Sequence, residues 1–473
     1  MISQPSLIET SVTVVDGTQY ALTEGKKLLV QGSTWGFVGE AAGEALLCDL
    51  TPENAVVMRS RLPWLRPVPL GLRTSAGFGD RLGIGTPGHA QSLIGTGVAP
   101  IFAQQSVREN SRTHRTPQNV VDDAMWGVFE IGWRESWGAD ADHLKHAVDV
   151  ATFVNAGYTF FTIDPGDHVD DAAETDSLET LRTKAAALPW DVLKTTLEET
   201  QTRYQKSFDL GGLTLVLDEH LLLKAVVKYG AAVAHTLRMA AELKTQSDGK
   251  PLEMEMSVDE TGTTTSLDEH FYIASELIRH GVPFVSLAPR FVGRFEKGVD
   301  YIGDLAELEE NIAGHAAIMH HFGNTYKLSL HTGSDKFGVY PIAMRLTDGR
   351  VHLKTAGTSY LEALRLIASV DVPFFREILS FARERYDEDR KTYHVSATLD
   401  NVPPAEQLTD AQLPGLLDQF DARQVLHVTF GSVLDTFGER LHSLLRANER
   451  LYHDYLKRHF DRHLEAFRTG GRD

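Results

Sequence analysis

The stretch KLSLHTGSDKF, residues 327–337, reads as a short strand running into a polar turn. Leu328 and Leu330 point to one side and Ser329 and His331 to the other, the period-two alternation of a strand. Thr332-Gly333-Ser334 is a turn signal. His331 therefore stands at a strand's C-terminal end, with Ser334, Asp335 and Lys336 close behind. In an α/β barrel that end of the strands carries the chemistry. For one such histidine alone, a bond to a backbone carbonyl is the plainer reading. The weighing changes because several other strands of the chain end in the same way.

Strand-like runs near residues 82, 100, 160, 255, 286, 329, 353 and 427 number eight, mostly separated by helical segments. This is the (β/α)8 pattern of a TIM-like barrel. The competing architecture is an open doubly wound sheet. The glycine-rich GDRLGIGTPGH (79–89) does not have the G-x-G-x-x-G spacing of a dinucleotide site, which weighs against it. Residues 1–65 carry short strand-like pieces and are expected to form a small N-terminal cap. Residues 66–473 then form the catalytic barrel, with a helical insertion at about 169–250. Residues 140–157 read as an amphipathic helix closed by Gly157, and VLHVTFGS (425–432) as the last strand. A basic amphipathic helix over roughly 436–468 ends the chain.

The chain has 473 residues, 42% hydrophobic and 23% charged, an ordinary globular composition. A formal net charge of −19 disfavours nucleic acid and anionic membrane surfaces as partners. An anionic substrate would need a local cationic pocket. Cys48 is the single cysteine, so neither an intrachain disulfide nor a cysteine zinc site is expected. No signal-peptide pattern or membrane-spanning run is read, and a cytoplasmic protein is the default. A homo-oligomer is left open.

The strand ends collect imidazoles and carboxylates. TIDPGDH (162–168) offers Asp164, Asp167 and His168; LEMEMSVDE (252–260) offers Glu253, Glu255, Asp259 and Glu260. FVSLAPRF offers Arg290, the central stretch His331 and Lys336, and VHLKTAG Lys354. Histidines and carboxylates converging on one mouth suit a borderline divalent cation. Asp167 and Glu260 are candidates for acid–base work. Arg290, Lys336 and Lys354 could hold a substrate anion. Each has a bland alternative: Asp259 suits a turn cap, His427 a core histidine, and His320 and His321 a helix C-terminus.

At TIDPGDH, SVDETGTTTSLDEHF and SLHTGSDKFGVYP the chain resembles the bacterial tagaturonate epimerase family, from about residue 70 to the C-terminus. The resemblance implies an isomerase that interconverts tagaturonate and fructuronate in hexuronate breakdown with one divalent metal cation (zinc, manganese, nickel, cobalt or iron). It implies Asp167 as proton acceptor, Glu260 as proton donor, and His168 and His331 as metal ligands. The third ligand stays open among Glu255, Glu296 and His320. A small anionic sugar acid is the implied partner.

The carbon inverted in that reaction is β to the ketone, so its own C–H is not acidic. Retro-aldol cleavage and re-addition is therefore favoured over direct proton removal. Competing functions on the same residues are a metal-dependent sugar isomerase or aldolase, and a non-catalytic sugar-acid binding protein.

Overall fold

A computed structural model of the chain describes residues 5–468. Eight parallel strands close into a barrel, here labelled in chain order. They are β1 (Ser75–Phe78), β2 (Ala99–Ser106), β3 (Gly138–Leu144), β4 (Phe160–Ile163), β5 (Glu253–Ser257), β6 (Phe284–Ala288), β7 (Lys327–Leu330) and β8 (Val351–Thr355). Closure comes from β8 pairing with β1, His352 opposite Ser75 and Lys354 opposite Gly77. The expected barrel is thus the observed one. Before it, five short antiparallel strands between Thr13 and Cys48 form a separate sheet.

Eight strands are found, but two of those expected were misplaced and one was missed. The first strand lies at Ser75–Phe78, not around 81–84. The Asp80 carboxylate accepts N–H bonds from Leu82, Gly83 and Gly85, which folds the apolar RLGI piece into a loop. Residues 140–157 are not one helix. Gly138–Leu144 is a strand, and the helix begins at Ala147. VLHVTFGS is helical, inside Phe420–Val428 and Phe430–Ala447, with the Gln419 side chain accepting from the Ala422 N–H at the helix start. The last helical stretch is interrupted at Asn448, and Glu449–Leu464 follows.

The 169–250 region holds three short helices, a small hairpin (Ser207–Asp209 with Thr214–Val216) and the long helix Glu219–Gln246. That helix fills the crossover from β4 to β5, against the helices Ala147–Ala156 and Leu267–Arg279. No helix among the described residues is long and apolar enough to cross a membrane.

The barrel interior is largely polar, with Phe160 set against His352 and Lys354, whereas branched apolar layers are usual. At its N-terminal end the buried Glu253 carboxylate accepts the backbone N–H groups of Leu70, at 3.0 Å, and Gly71. Lys327 Nζ donates to Arg73 O and to Ser75 Oγ, and Ser75 Oγ meets His352 Nδ1 at 2.9 Å. This polar plug lets the segment entering β1 seal the base. Glu253→Ala strips both N–H groups of a charged acceptor, so it should lower stability by about 3 kcal/mol. Urea unfolding checks this, with activity of the folded fraction expected to be retained. A wild-type unfolding midpoint would show that the base closes without this carboxylate.

Candidate active site

At the opposite end, strand alternation carries a column of charged side chains upward. Lys354 on β8 points inward and lies 2.7 Å from Asp140, 2.7 Å from Asp142 and 3.2 Å from Glu255. Burial opposes its charge, but these carboxylates outweigh it and hold the ammonium well above the usual lysine range. Burial likewise opposes ionisation of Glu255, yet Lys354 and His331 hold its carboxyl well below the usual range.

One layer higher, His331 bridges two carboxylates. Its Nε2 is 2.6 Å from Glu255 Oε1 and its Nδ1 is 3.0 Å from Asp259 Oδ1. Burial pulls its pKa down, but Asp259 and Glu255 raise it to about 9 against the opposing charge of Lys354.

His143 completes the group. It leaves β3 with φ +48°, where the pairing to β4 slips between Ala141 and Leu144. Left-handed backbone at a non-glycine residue is strained, and such bulges re-aim side chains. The ring stands edge-on to His331, centroids 5.0 Å apart, with Nδ1 3.2 Å from Asp164 Oδ2. Burial opposes its protonation; Asp142, Glu260, Asp164 and Asp259 raise its pKa to about 10.

These residues make two overlapping donor groups. In one, His143, Asp259 and His331 each offer a ligand atom within 4.8 Å of the others; in the second, His143, Asp164 and Glu260 do the same. Two imidazoles and a carboxylate suit zinc, manganese, iron, cobalt or nickel. The charge balance also fits: a dication could replace the two protons that the surrounding carboxylates keep on His143 and His331. A third group, Asp335, His459 and His463, is already committed. His463 Nε2 accepts the Asp335 N–H, its Nδ1 bonds to His459 O, and Asp335 is 2.6 Å from Arg423. It ties the loop after β7 to the last long helix.

A cavity of about 360 Å3 opens above the histidines, bounded by Arg108, Glu260, Arg290, His331 and Tyr393. Of the residues expected from sequence, His331, Glu260 and Arg290 border it, and Glu260 lies 3.7 Å from Arg108. Lys354 is below, saturated by carboxylates rather than free for a substrate. Lys336 is buried elsewhere, its Nζ donating to the carbonyls of Glu296, Val299 and Ser334.

Asp167 has 63% of its side chain exposed and pairs with Lys145 at 3.0 Å. His168 is exposed and stacks on His235, centroids 4.2 Å apart, outside the donor groups described. Of the third-ligand candidates, Glu255 touches His331. Glu296 is held by Ser396 and Gln424, and His320 faces Asp348 on the loop entering β8.

Sequence reasoning missed His143, Asp140 and Asp142. The alternation G-A-D-A-D was the signal for the two aspartates, obscured by the helical segment that follows; His143 falls outside it.

The chain matches the tagaturonate epimerase (UxaE) family over residues 13–467. It therefore belongs to that family of sugar-acid epimerases. It is 43% identical over 469 residues to the tagaturonate/fructuronate epimerase of Thermotoga maritima, covering 97% of this chain and 96% of that one. The native crystal structure of fructuronate-tagaturonate epimerase UxaE from Cohnella laeviribosi superposes with TM-score 0.93 at 36% identity, covering 98% and 97% of the two chains. A glycerol complex of that enzyme gives TM-score 0.92.

The raised histidine pKa values have a consequence for the cation-free protein. Protons held above the ordinary value near 6.5 stabilise the fold fully below that pH and are lost as pH climbs through about 9 and 10. The thermal midpoint of chelator-treated protein should therefore fall between pH 7 and 10, and His331→Ala should flatten that slope. A midpoint independent of pH across this window would contradict the charge balance.

Proposed function

We propose that this protein is a divalent-metal-dependent epimerase interconverting tagaturonate and fructuronate. The observation that carries the reading is the convergence of His143, His331 and Asp259, the last two lining a cavity that Glu260 also borders, in a chain of this family. His143, His331 and Asp259 are the residues that would hold the cation. When bound, it would supply Lewis acidity at the substrate's ketone.

The rest falls to the chain's own side chains. The inverted carbon, C4, carries a hydroxyl and lies β to the C2 ketone. In retro-aldol cleavage a carboxylate takes the C4 hydroxyl proton, C4 becomes an aldehyde, and the C3–C4 electron pair moves into a C2–C3 enediolate. After the aldehyde turns, the electron pair returns to its other face and the proton is given back. Glu260 borders the cavity and is the acid–base group assigned here. Asp167 reaches the site only through other residues: Asp167–Lys145 at 3.0 Å, Lys145–Asp164 at 3.8 Å and Asp164–His143 at 3.2 Å. It orients His143 rather than the substrate.

Proton NMR of fructuronate with purified protein tests the reading. Conversion to tagaturonate should stop with chelator and return with a divalent metal. In heavy water, deuterium should stay out of C4; rapid exchange there would sink the retro-aldol route. An unchanged spectrum with each of the borderline metals would sink the epimerase reading.

Substitutions separate the roles. Glu260→Gln should lower kcat by about 10²–10⁴-fold, the usual worth of an acid–base group. Asp167→Asn should cost about tenfold or less, since it acts through Lys145 and Asp164. Metal analysis should find His143→Ala and His331→Ala depleted and His168→Ala loaded. Loss of metal from His168→Ala with retention in His143→Ala would assign the ligand to the DPGDH turn instead.

A further inference from the structure

Adjoining the main cavity, with Arg108, Lys297, His331 and Tyr393 lining both, lies a smaller recess of about 30 Å3. That volume holds a water or one carboxylate-sized group. Its wall contains buried polar atoms with no partner. Arg81, 3% exposed, gives Nε and Nη2 to Glu109 and leaves Nη1 unused. Gln104, 1% exposed, donates through Nε2 to Thr355 O and leaves Oε1 unused. Arg108 leaves Nε unused, and Lys297 spends one donor on Thr332 Oγ1. Unpaired buried polar groups are costly and rare, so these atoms point to a ligand.

The wall is richer in cations than the rest of the chain: Arg81, Arg108 and Lys297 line it beside His143 and His331. Glu109 is paired with Arg81 and Asp142 with Lys354, and Arg108 lies 3.7 Å from Glu260. Beside it the helix Thr358–Val370 begins at Gly357 with no side-chain cap. Gly357 has φ +82°, and a Cβ there would collide with His427 Nε2 and stand 2.8 Å from Arg81 Nη1. Glycine at this position permits the left-handed turn and leaves room for both side chains. An uncapped helix N-terminus favours an anion.

We propose that this recess binds the carboxylate end of the sugar acid. Arg81, Arg108 and Lys297 take the carboxylate, and Gln104 Oε1 accepts from the hydroxyl on the neighbouring carbon. The inference rests on the epimerase reading and deepens it by assigning the residues that select a hexuronate over a neutral ketohexose. Lys336 and Lys354, expected from sequence to hold the anion, are occupied by carbonyls and carboxylates respectively. The recess adjoins His143 and His331, which line it too, so a carboxylate held there leaves the ketone end of the same molecule near the histidines.

Calorimetric titration with two unreactive probes, a hexonate and the corresponding hexitol, tests the proposal without relying on turnover. Wild-type protein should bind the hexonate at least tenfold more tightly. Lys297→Met and Arg108→Met should each weaken the hexonate by tenfold or more and leave the hexitol within twofold, with unchanged metal content. Arg108→Lys should restore part of the gap. Equal weakening of both probes, or an unaltered gap in both methionine variants, overturns the proposal. A hexitol phosphate binding more tightly than the hexonate would assign the recess to phosphate and also overturn it. If wild-type protein binds the hexonate preferentially yet leaves fructuronate unchanged, the epimerase reading fails and the anion recess stands. If it epimerises fructuronate with no preference between the probes, only the recess assignment fails.

Discussion

The ammonium of Lys354, enclosed by Asp140, Asp142 and Glu255 inside the barrel, is the contact on which the site depends. A lone charge at that depth would cost several kcal/mol, so neither the lysine nor its carboxylates could remain there ionised alone. Thr162 ties the group further, donating to Asp140 at 2.9 Å. Lys354 offsets one of these negative charges, and Glu255, held as an anion, lies 2.6 Å from His331, a contact that fixes the imidazole. The same enclosure takes Lys354 out of covalent chemistry. A Schiff base needs a neutral amine, and three carboxylates keep this one protonated. The ketone must then be activated from outside the amine, which is the task suited to a cation at the histidines above.

The polar interior divides by depth. At the base, Glu253 and Lys327 each bond to the segment entering β1, and Ser75 links Lys327 to His352, whose Nε2 has no partner. Toward the mouth, groups are left unsatisfied or protonated against their usual state: Arg81 Nη1 and Gln104 Oε1 lack partners, and His143 and His331 hold protons. The base is held mainly by bonds within the fold, whereas the mouth keeps charged donors that a ligand could use.

The barrel was legible because most strands declare themselves by alternation, as KLSLH and LEMEMS do. Where the sequence misled, tertiary charge was responsible. Asp140 and Asp142 are poor strand formers, and their strand exists because Lys354, 212 residues from Asp142 in the chain, receives them. VLHVTFGS has strand composition but packs as helix, with Val425, Leu426 and Val428 all buried. The mouth residues His331, Glu260 and Arg290 could be read from strand-end position alone. His143 could not, because its inward aim comes from a positive φ at a strand irregularity that no local pattern announces. Asp167 and His168 sit beside Asp164, which does reach the site, and the turn between them carries both to the surface.

The two ends of the site impose a constraint on the reaction itself. Cleavage between C3 and C4 yields a three-carbon enediolate and a three-carbon aldehyde bearing the carboxylate. For epimerisation the aldehyde must present its second face without leaving. A carboxylate held by Arg81, Arg108 and Lys297 retains that fragment while leaving rotation about its C4–C5 bond free. In the proposed reading the enediolate end would be retained at His143, His331 and Asp259. An aldolase gains from releasing either fragment; an epimerase must release neither. Two cationic anchoring points, one for each fragment, would meet that requirement, and they account for the cluster of cations that so acidic a protein keeps at its mouth.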